Sequence, residues 1–394
     1  MVPLARLYSP LDFGLYAIVQ SIVTVGVTLA ALRYDMATVL PESDLAARVL
    51  HRLASRSILV SSSAFMLAIV IAHPFIARTY ENDVFATWLI GAGLAIYLMA
   101  QVVNVQFWLN RRQDYRAIAG NRLIQAVTVA VFQLALAVPV GGFQGLLAGL
   151  VAGQIVTLFL VRRRTPELKQ PLPKEAPGQW EMARRYRKMP LVNGPTAVLD
   201  AVKNSGINVL IGNIAVSGLG QYSLAYQLTK APVSLLNGAV AQVLLQRLAT
   251  TEPGSMVRLL RDSFVRIFLF SAPIFVIFYF LAPSLFPFVF GAEWEEAGLI
   301  AQALVPWLFM LTFTSPLSSL FVIADKQEWG LVFALLSTSV SLAYLVLTPL
   351  GLLPAVQHLS LIMAALLGLW VVMALLVARG YDKNGRRRAD EVPE

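Results

Sequence analysis

The chain has 394 residues, of which 57% are hydrophobic and only 13% charged, with a mean hydropathy of +0.68. A soluble protein carries about 25% charged residues, so ordinary globular folding is a poor fit, and the absence of cysteine rules out disulfides and thiolate metal sites. The formal charge of +9 does not point to nucleic acid, because most basic residues lie in short gaps between apolar runs.

A bilayer core needs about 20 consecutive apolar residues per helix. Eleven runs qualify, at 13–32, 57–77, 84–109, 117–138, 143–161, 190–212, 219–246, 264–286, 297–323, 329–349 and 354–378. Pro74, Pro232, Pro273 and Pro306 fall inside these runs, which membrane helices tolerate because neighbours re-satisfy the freed backbone groups. The expected fold class is all-α and polytopic.

The gaps set the orientation. Segments 33–56, 110–116, 162–189, 247–263, 324–328 and 379–394 hold 4, 3, 9, 3, 1 and 5 Lys or Arg. The alternate segments 1–12, 78–83, 139–142, 213–218, 287–296 and 350–353 hold 1, 1, 0, 0, 0 and 0. Positive loops stay inside, so the first set is expected to be cytoplasmic, with the C-terminus inside and the visible N-terminus outside. An outer start without a signal peptide is repaired most simply by one missing upstream helix, giving twelve spans.

The gap from Arg162 to Met189 is basic and Pro-rich and reads as a cytoplasmic linker. The expected organisation is an N-terminal lobe over 1–165, a linker over 166–189, a C-terminal lobe over 190–380 and a cytoplasmic tail over 381–394. Five visible spans precede the linker and six follow it. Phe13-Gly14-Leu15-Tyr16-Ala17 is echoed by Leu219-Gly220-Gln221-Tyr222-Ser223, and Arg112-Gln113-Asp114-Tyr115 by Lys326-Gln327-Glu328-Trp329. The similar offsets fit two pseudo-symmetric helical lobes, a plan common in secondary transporters.

Charge within a bilayer is costly and usually faces a bundle interior or water. The sixth span carries Asn193, Thr196, Asp200, Lys203, Asn204 and Asn208 along one helical face, and the seventh carries Ser223, Gln227, Lys230, Ser234 and Asn237. At 1.5 Å per residue, Lys203 and Lys230 lie about 14 and about 16 Å from the outer ends of their helices. Asp200 is one turn from Lys203 and offers a partial counter-charge, leaving surplus positive charge suited to a phosphate or pyrophosphate. A buried Asp200–Lys203 pair serving only helix packing is the alternative. Arg122, with Asn121, Gln125 and Thr128, lies near the cytoplasmic surface, where snorkelling competes with function. Arg33 and Asp35 form either a boundary pair or a cytoplasmic gate. His51, His73 and His358 show no metal-ligand spacing and read as structural, while Tyr80, Trp88, Trp294 and Trp329 fit an interfacial belt. No cofactor motif appears, and coupling to a proton or sodium ion stays open.

Four segments carry a family resemblance: Arg6-Leu7-Tyr8-Ser9-Pro10-Leu11-Asp12-Phe13-Gly14-Leu15-Tyr16, Leu32-Arg33-Tyr34-Asp35-Met36-Ala37-Thr38-Val39-Leu40-Pro41-Glu42-Ser43-Asp44, Gly220-Gln221-Tyr222-Ser223-Leu224-Ala225-Tyr226 and Phe290-Gly291-Ala292-Glu293-Trp294. They resemble the polysaccharide transporter (Wzx-type flippase) branch of the multidrug/oligosaccharidyl-lipid/polysaccharide exporter superfamily. The resemblance implies two lobes around a central cavity, with the family's first helix missing here. It also implies a bacterial inner-membrane flippase for undecaprenyl-pyrophosphate-linked oligosaccharide, serving O-antigen, exopolysaccharide or capsule. Its implied partners are the lipid-linked oligosaccharide, membrane lipids and polysaccharide polymerase or chain-length machinery. The candidate substrate-binding residues are Lys203, Lys230, Asp200, Asn204, Gln227, Asn193 and Arg122. An ion-coupled drug or metabolite exporter, with Asp200 as cation site, is a second reading. A membrane polymerase or glycosyltransferase is a third, disfavoured because every outer connection is short and poor in arginine.

Overall fold

Helix starts follow the chemistry of the gaps. Ser9 accepts from the Asp12 N–H at 3.2 Å while the Asp12 carboxylate accepts from the Ser9 N–H at 3.0 Å, a reciprocal cap with Pro10 in the first turn. Ser43, Asn82 and Asp114 cap later helices one way only, each side-chain oxygen accepting from a first-turn N–H, of Leu45, Phe85 and Ala117. The computed structural model describes residues 1–173, 175–250, 254–314, 317, 320–321 and 326–390, with side chains omitted at 192–193, 196, 235–236, 238–250, 327 and 384–390.

In chain order the helices are α1 Val2–Leu7, α2 Pro10–Ala30, α3 Tyr34–Ala37, α4 Asp44–Tyr80, α5 Asp83–Leu89, α6 Gly91–Arg111, α7 Tyr115–Leu136, α8 Gly142–Arg163, α9 Gln179–Arg185, α10 Gly194–Ile214, α11 Val216–Thr250, α12 Met256–Phe290, α13 Glu295–Thr314, α14 Gln327–Leu347 and α15 Leu352–Asp390. Among the described residues each of the eleven expected runs contains most of one helix of 20 residues or more, and the run 84–109 is divided between the short α5 and α6. No strand occurs among the described residues. Among the described residues nine helical segments are long and apolar enough to cross a membrane, Asp83–Arg111 counting as one, and they do not include α10 or α11, the pair that carries the polar candidates. The chain is an all-α, multi-pass membrane protein.

The chain divides into two compact units, Met1–Val209 and Leu210–Glu394. This division falls inside α10, beyond the expected boundary at the linker. The physical reason is local: Ser205 Oγ donates to the Ser21 carbonyl and Asn208 Nδ2 to Ser21 Oγ, both at 2.9 Å, so α10 is bonded to α2. Within the first unit α7 packs on α8, while α6 packs on α2, α4 and α8. Gly149 and Gly153 permit the α7–α8 approach, since a Cβ on either would lie 2.6 Å from the backbone of Gln133 or Val129.

The linker is docked rather than loose. Arg48 Nη2 donates to the Gln170 carbonyl at 2.7 Å, Arg52 bonds the same carbonyl, and Arg56 Nη1 reaches Gln179 Oε1 at 2.6 Å. These three arginines recur every fourth residue on α4, so one helix face grips the linker. Tyr34 donates to the Ala183 carbonyl, and Trp108 and Arg112 both donate to Glu167.

In the second unit α13 packs on α11, α12 and α15. Asp382, near the end of α15, accepts from the N–H groups of Gly254, Met256 and Val257 and so caps α12. Pro306 interrupts α13, and the neighbouring Trp307 N–H donates instead to the fully buried Ser360 hydroxyl at 3.2 Å.

Candidate functional site

On α10, Lys203 Nζ stands 3.9 Å from Asp200 Oδ1 one turn away. The lysine side chain is 20% exposed and the carboxylate 58%, so the pair is lopsided, with the cation more sheltered than its counter-charge. Asn204 is exposed and donates to the Asp200 carbonyl at 2.8 Å. The helix runs two residues past the expected end, which puts Lys203 about 16 Å from its outer terminus. Asn208, expected on the same open face, is spent on Ser21. The side chains of Asn193 and Thr196 lie outside the described residues.

On α11, Lys230 is half-buried with its ammonium 4.9 Å from the centroid of the Tyr226 ring. Tyr226 stacks on Tyr222 at 5.7 Å and tilts against Trp307 at 5.5 Å, giving the cation an aromatic floor. Among the described residues no carboxylate forms an ion pair with Lys230. Gln227 is exposed, whereas Asn237 is buried and donates to the Leu311 carbonyl at 3.3 Å. Each unit thus supplies one half-sheltered lysine on a long helix.

The remaining expectations separate. The polar face of α7 turns to α8: Asn121 accepts from Arg164, Gln125 bonds Gln154, and Thr128 donates to the Gly153 carbonyl. Arg122 is one residue off that face, exposed, and lines a groove of ≈ 440 Å³ with Gln106, Asn110 and Tyr115. Arg33 and Asp35 do not form an ion pair. Arg33 has φ 60° in a tight turn, with its Nε buried and unpartnered, and borders an apolar cleft of ≈ 500 Å³ with Thr28, Pro190 and Pro195. Asp35 is buried, and its Oδ1 accepts from the Met36 N–H at 2.9 Å. Burial pushes its carboxyl above the ordinary range, against the opposing pull of the Met36 bond and the Arg33 charge. Trp294 is 0% exposed inside the second unit, which corrects its place in an interfacial belt. Gly291, at φ 111°, ends α12 and turns that tryptophan inward.

Sequence reasoning missed two features. Gln221 donates to the Glu293 carbonyl at 2.6 Å and accepts from the Ala297 N–H at 3.0 Å, joining the two second-half resemblance segments. A polar cluster of His51, Ser55, Gln101, Asn104 and Arg162 lies between α4, α6 and α8. The i, i+3 spacing of Gln101 and Asn104 in an apolar helix was its sequence signal. Among the described residues no group of three or more His, Asp or Glu side chains gathers as a metal site.

The arrangement has relatives. A structure titled lipid II flippase MurJ, inward closed conformation, superposes with a TM-score of 0.74 at 13% identity, covering 100% of this chain and 90% of that one. An inward-facing multidrug resistance MATE family transporter of the MOP superfamily gives 0.69 at 13% identity, covering 98% and 93%. A MOP superfamily transporter from Pyrococcus furiosus gives 0.53 at 13% identity, covering 98% and 87%. At such identities the likeness is one of fold. No curated protein matches the sequence. The model of the family described as polysaccharide biosynthesis protein matches residues 3–298. The chain therefore belongs to the polysaccharide biosynthesis protein family, and its fold is like that of the MurJ and MATE structures.

Proposed function

We propose that the protein is a flippase that carries a lipid-linked oligosaccharide, with undecaprenyl pyrophosphate as the lipid, across the bacterial inner membrane by alternating access. Family membership supports polysaccharide biosynthesis, and the fold shared with the lipid II flippase supports a lipid-linked cargo. The observation that carries the reading is Lys230, a half-buried cation deep in a long helix, held by an aromatic ring and without a carboxylate partner among the described residues. Leaving such a charge uncompensated is expensive, and a pyrophosphate passing it would supply the missing counter-charge. Lys203, only partly matched by the exposed Asp200, offers the same from the other unit. The basic gaps face the cytoplasm, where the cargo is assembled, and the sugar product joins surface polysaccharide such as O-antigen, exopolysaccharide or capsule.

The test is a Lys203→Ala, Lys230→Ala double variant in cells. Surface polysaccharide should fall at least tenfold while membrane insertion is unchanged, and Lys230→Arg should retain most of it. Normal polymer from the double variant would overturn the reading. So would drug export by the wild type that is lost in Asp200→Asn while polysaccharide is unaffected.

A further inference from the structure

A second concentration of positive charge lies wholly within the first unit. Where α4 and α8 meet the linker, a cavity of ≈ 180 Å³ is lined by His51, Arg52, Ser55, Arg162, Thr165 and Lys169, with Val105 and Leu168. Three permanent cations line it and no carboxylate does. The nearest acid in sequence, Glu167, is already engaged: it accepts from Trp108 Nε1 at 2.9 Å and from Arg112 Nη1 at 2.6 Å. The arginines are steered by neutral acceptors, Arg162 by Gln101 Oε1 at 3.3 Å and Arg52 by the Gln170 carbonyl, so their charge is oriented without being cancelled. His51 also lines the cavity and is 7% exposed, with its Nδ1 enclosed by protein.

We propose that this cavity binds a phosphate group. Two guanidinium groups and an ammonium, with no carboxylate among them, are the charged donor set that phosphate oxygens require, while the Ser55 and Thr165 hydroxyls already donate to Gln101 Oε1 at 3.2 Å and to the Val161 carbonyl at 3.4 Å. Drug-sized ligands need at least about 300 Å³, so the cavity holds a headgroup and leaves the rest of its owner outside. Two owners share this chemistry. One is a soluble phosphate or pyrophosphate compound; the other is an anionic phospholipid of the leaflet against which this basic end lies. The site is distinct from Lys203 and Lys230 and goes beyond the transport reading.

The experiment uses the full chain purified in neutral detergent. Equilibrium dialysis against radiolabelled inorganic phosphate and pyrophosphate forms one arm. Thermal unfolding in nanodiscs of phosphatidylcholine with or without phosphatidylglycerol forms the other. Binding or stabilisation in at least one arm is expected, and the arm that responds identifies the source. Lys169→Gln, at an exposed side chain whose loss does not threaten the fold, should weaken that response at least fivefold. Arg162→Gln should weaken it further, and Arg187→Gln, away from the cavity, should not change it. The Lys203→Ala, Lys230→Ala variant should keep the response whatever its effect on transport. No response in either arm, an unchanged Lys169→Gln, or loss confined to the Lys203/Lys230 variant would each overturn the assignment.

Discussion

Arg111 closes α6 by donating from Nε to Asp44 Oδ1 at 2.9 Å, from Nη2 to the Glu42 carbonyl at 3.0 Å, and to the carbonyls of Pro41 and Val39. Its side chain is only 11% exposed, so one guanidinium satisfies much of the 39–44 turn. Arg111→Ala should cost roughly 2–3 kcal/mol, because charged hydrogen bonds and newly orphaned carbonyls are both lost. Asp44→Asn, at the exposed end of the same pair, should cost under about 1 kcal/mol. Thermal unfolding of the two variants checks the ranking, and equal losses would refute it. Asp35 behaves in the opposite sense. Its folded-state pKa is raised, so its contribution to stability is fully present below the ordinary Asp value and is lost as pH climbs through the raised one. Asp35→Asn keeps an acceptor for the Met36 N–H and should therefore raise Tm at pH 7, with the gain shrinking on acidification. A lower Tm at pH 7 would show that the ionised form is the stabilising one. None of this was legible in the sequence, where Arg111 was one charge in a polar gap and Asp35 one half of an undecided pair.

Run length and hydropathy placed the helices, but not their full extent. The helix α4 begins thirteen residues before the apolar run at 57–77, and α15 extends twelve residues beyond the run that ends at 378. Outside the bilayer a helix continues on capping and charged faces, to which a search for apolar runs is blind. The α7–α8 crossing rests on a stripe that was readable yet unused, Gly145, Gly149 and Gly153 at intervals of four on α8. Gly149→Val should force the helices apart at a cost of about 1–3 kcal/mol or more, read as a lower Tm and a smaller folded fraction on size-exclusion chromatography. Wild-type behaviour would mean that the crossing is looser than the 2.6 Å approach implies. The polar faces of α10 and α11 were visible from spacing alone. Which members point where was not, because Asn208 and Asn237 found carbonyl or hydroxyl partners on neighbouring helices while Asn204 and Gln227 did not leave the exposed face.

At the scale of the whole molecule, the proposed orientation is testable because the chain contains no cysteine. Single cysteines at Val140 and Ser217 should react with a membrane-impermeant maleimide in intact cells. Cysteines at Arg187 and Ser255 should react only after permeabilisation, and the reverse pattern would invert the topology. The sequence by itself determined that the chain is a multi-pass helical membrane protein, and its short capped motifs pointed to the family. Those properties follow from local composition, since a bilayer reads run length and loop charge without reference to distant contacts. Tertiary structure alone decided that the linker is gripped by α4 and that α10 is bonded to the first unit. It also decided that Trp294 is a core residue and that His51, Arg52, Arg162 and Lys169 share one cavity. The grip on the linker, the bond to α10 and the cavity each depend on groups that meet across a hundred or more residues, and the free energy of a polar side chain is set by the partner it finds rather than by its neighbours in the chain.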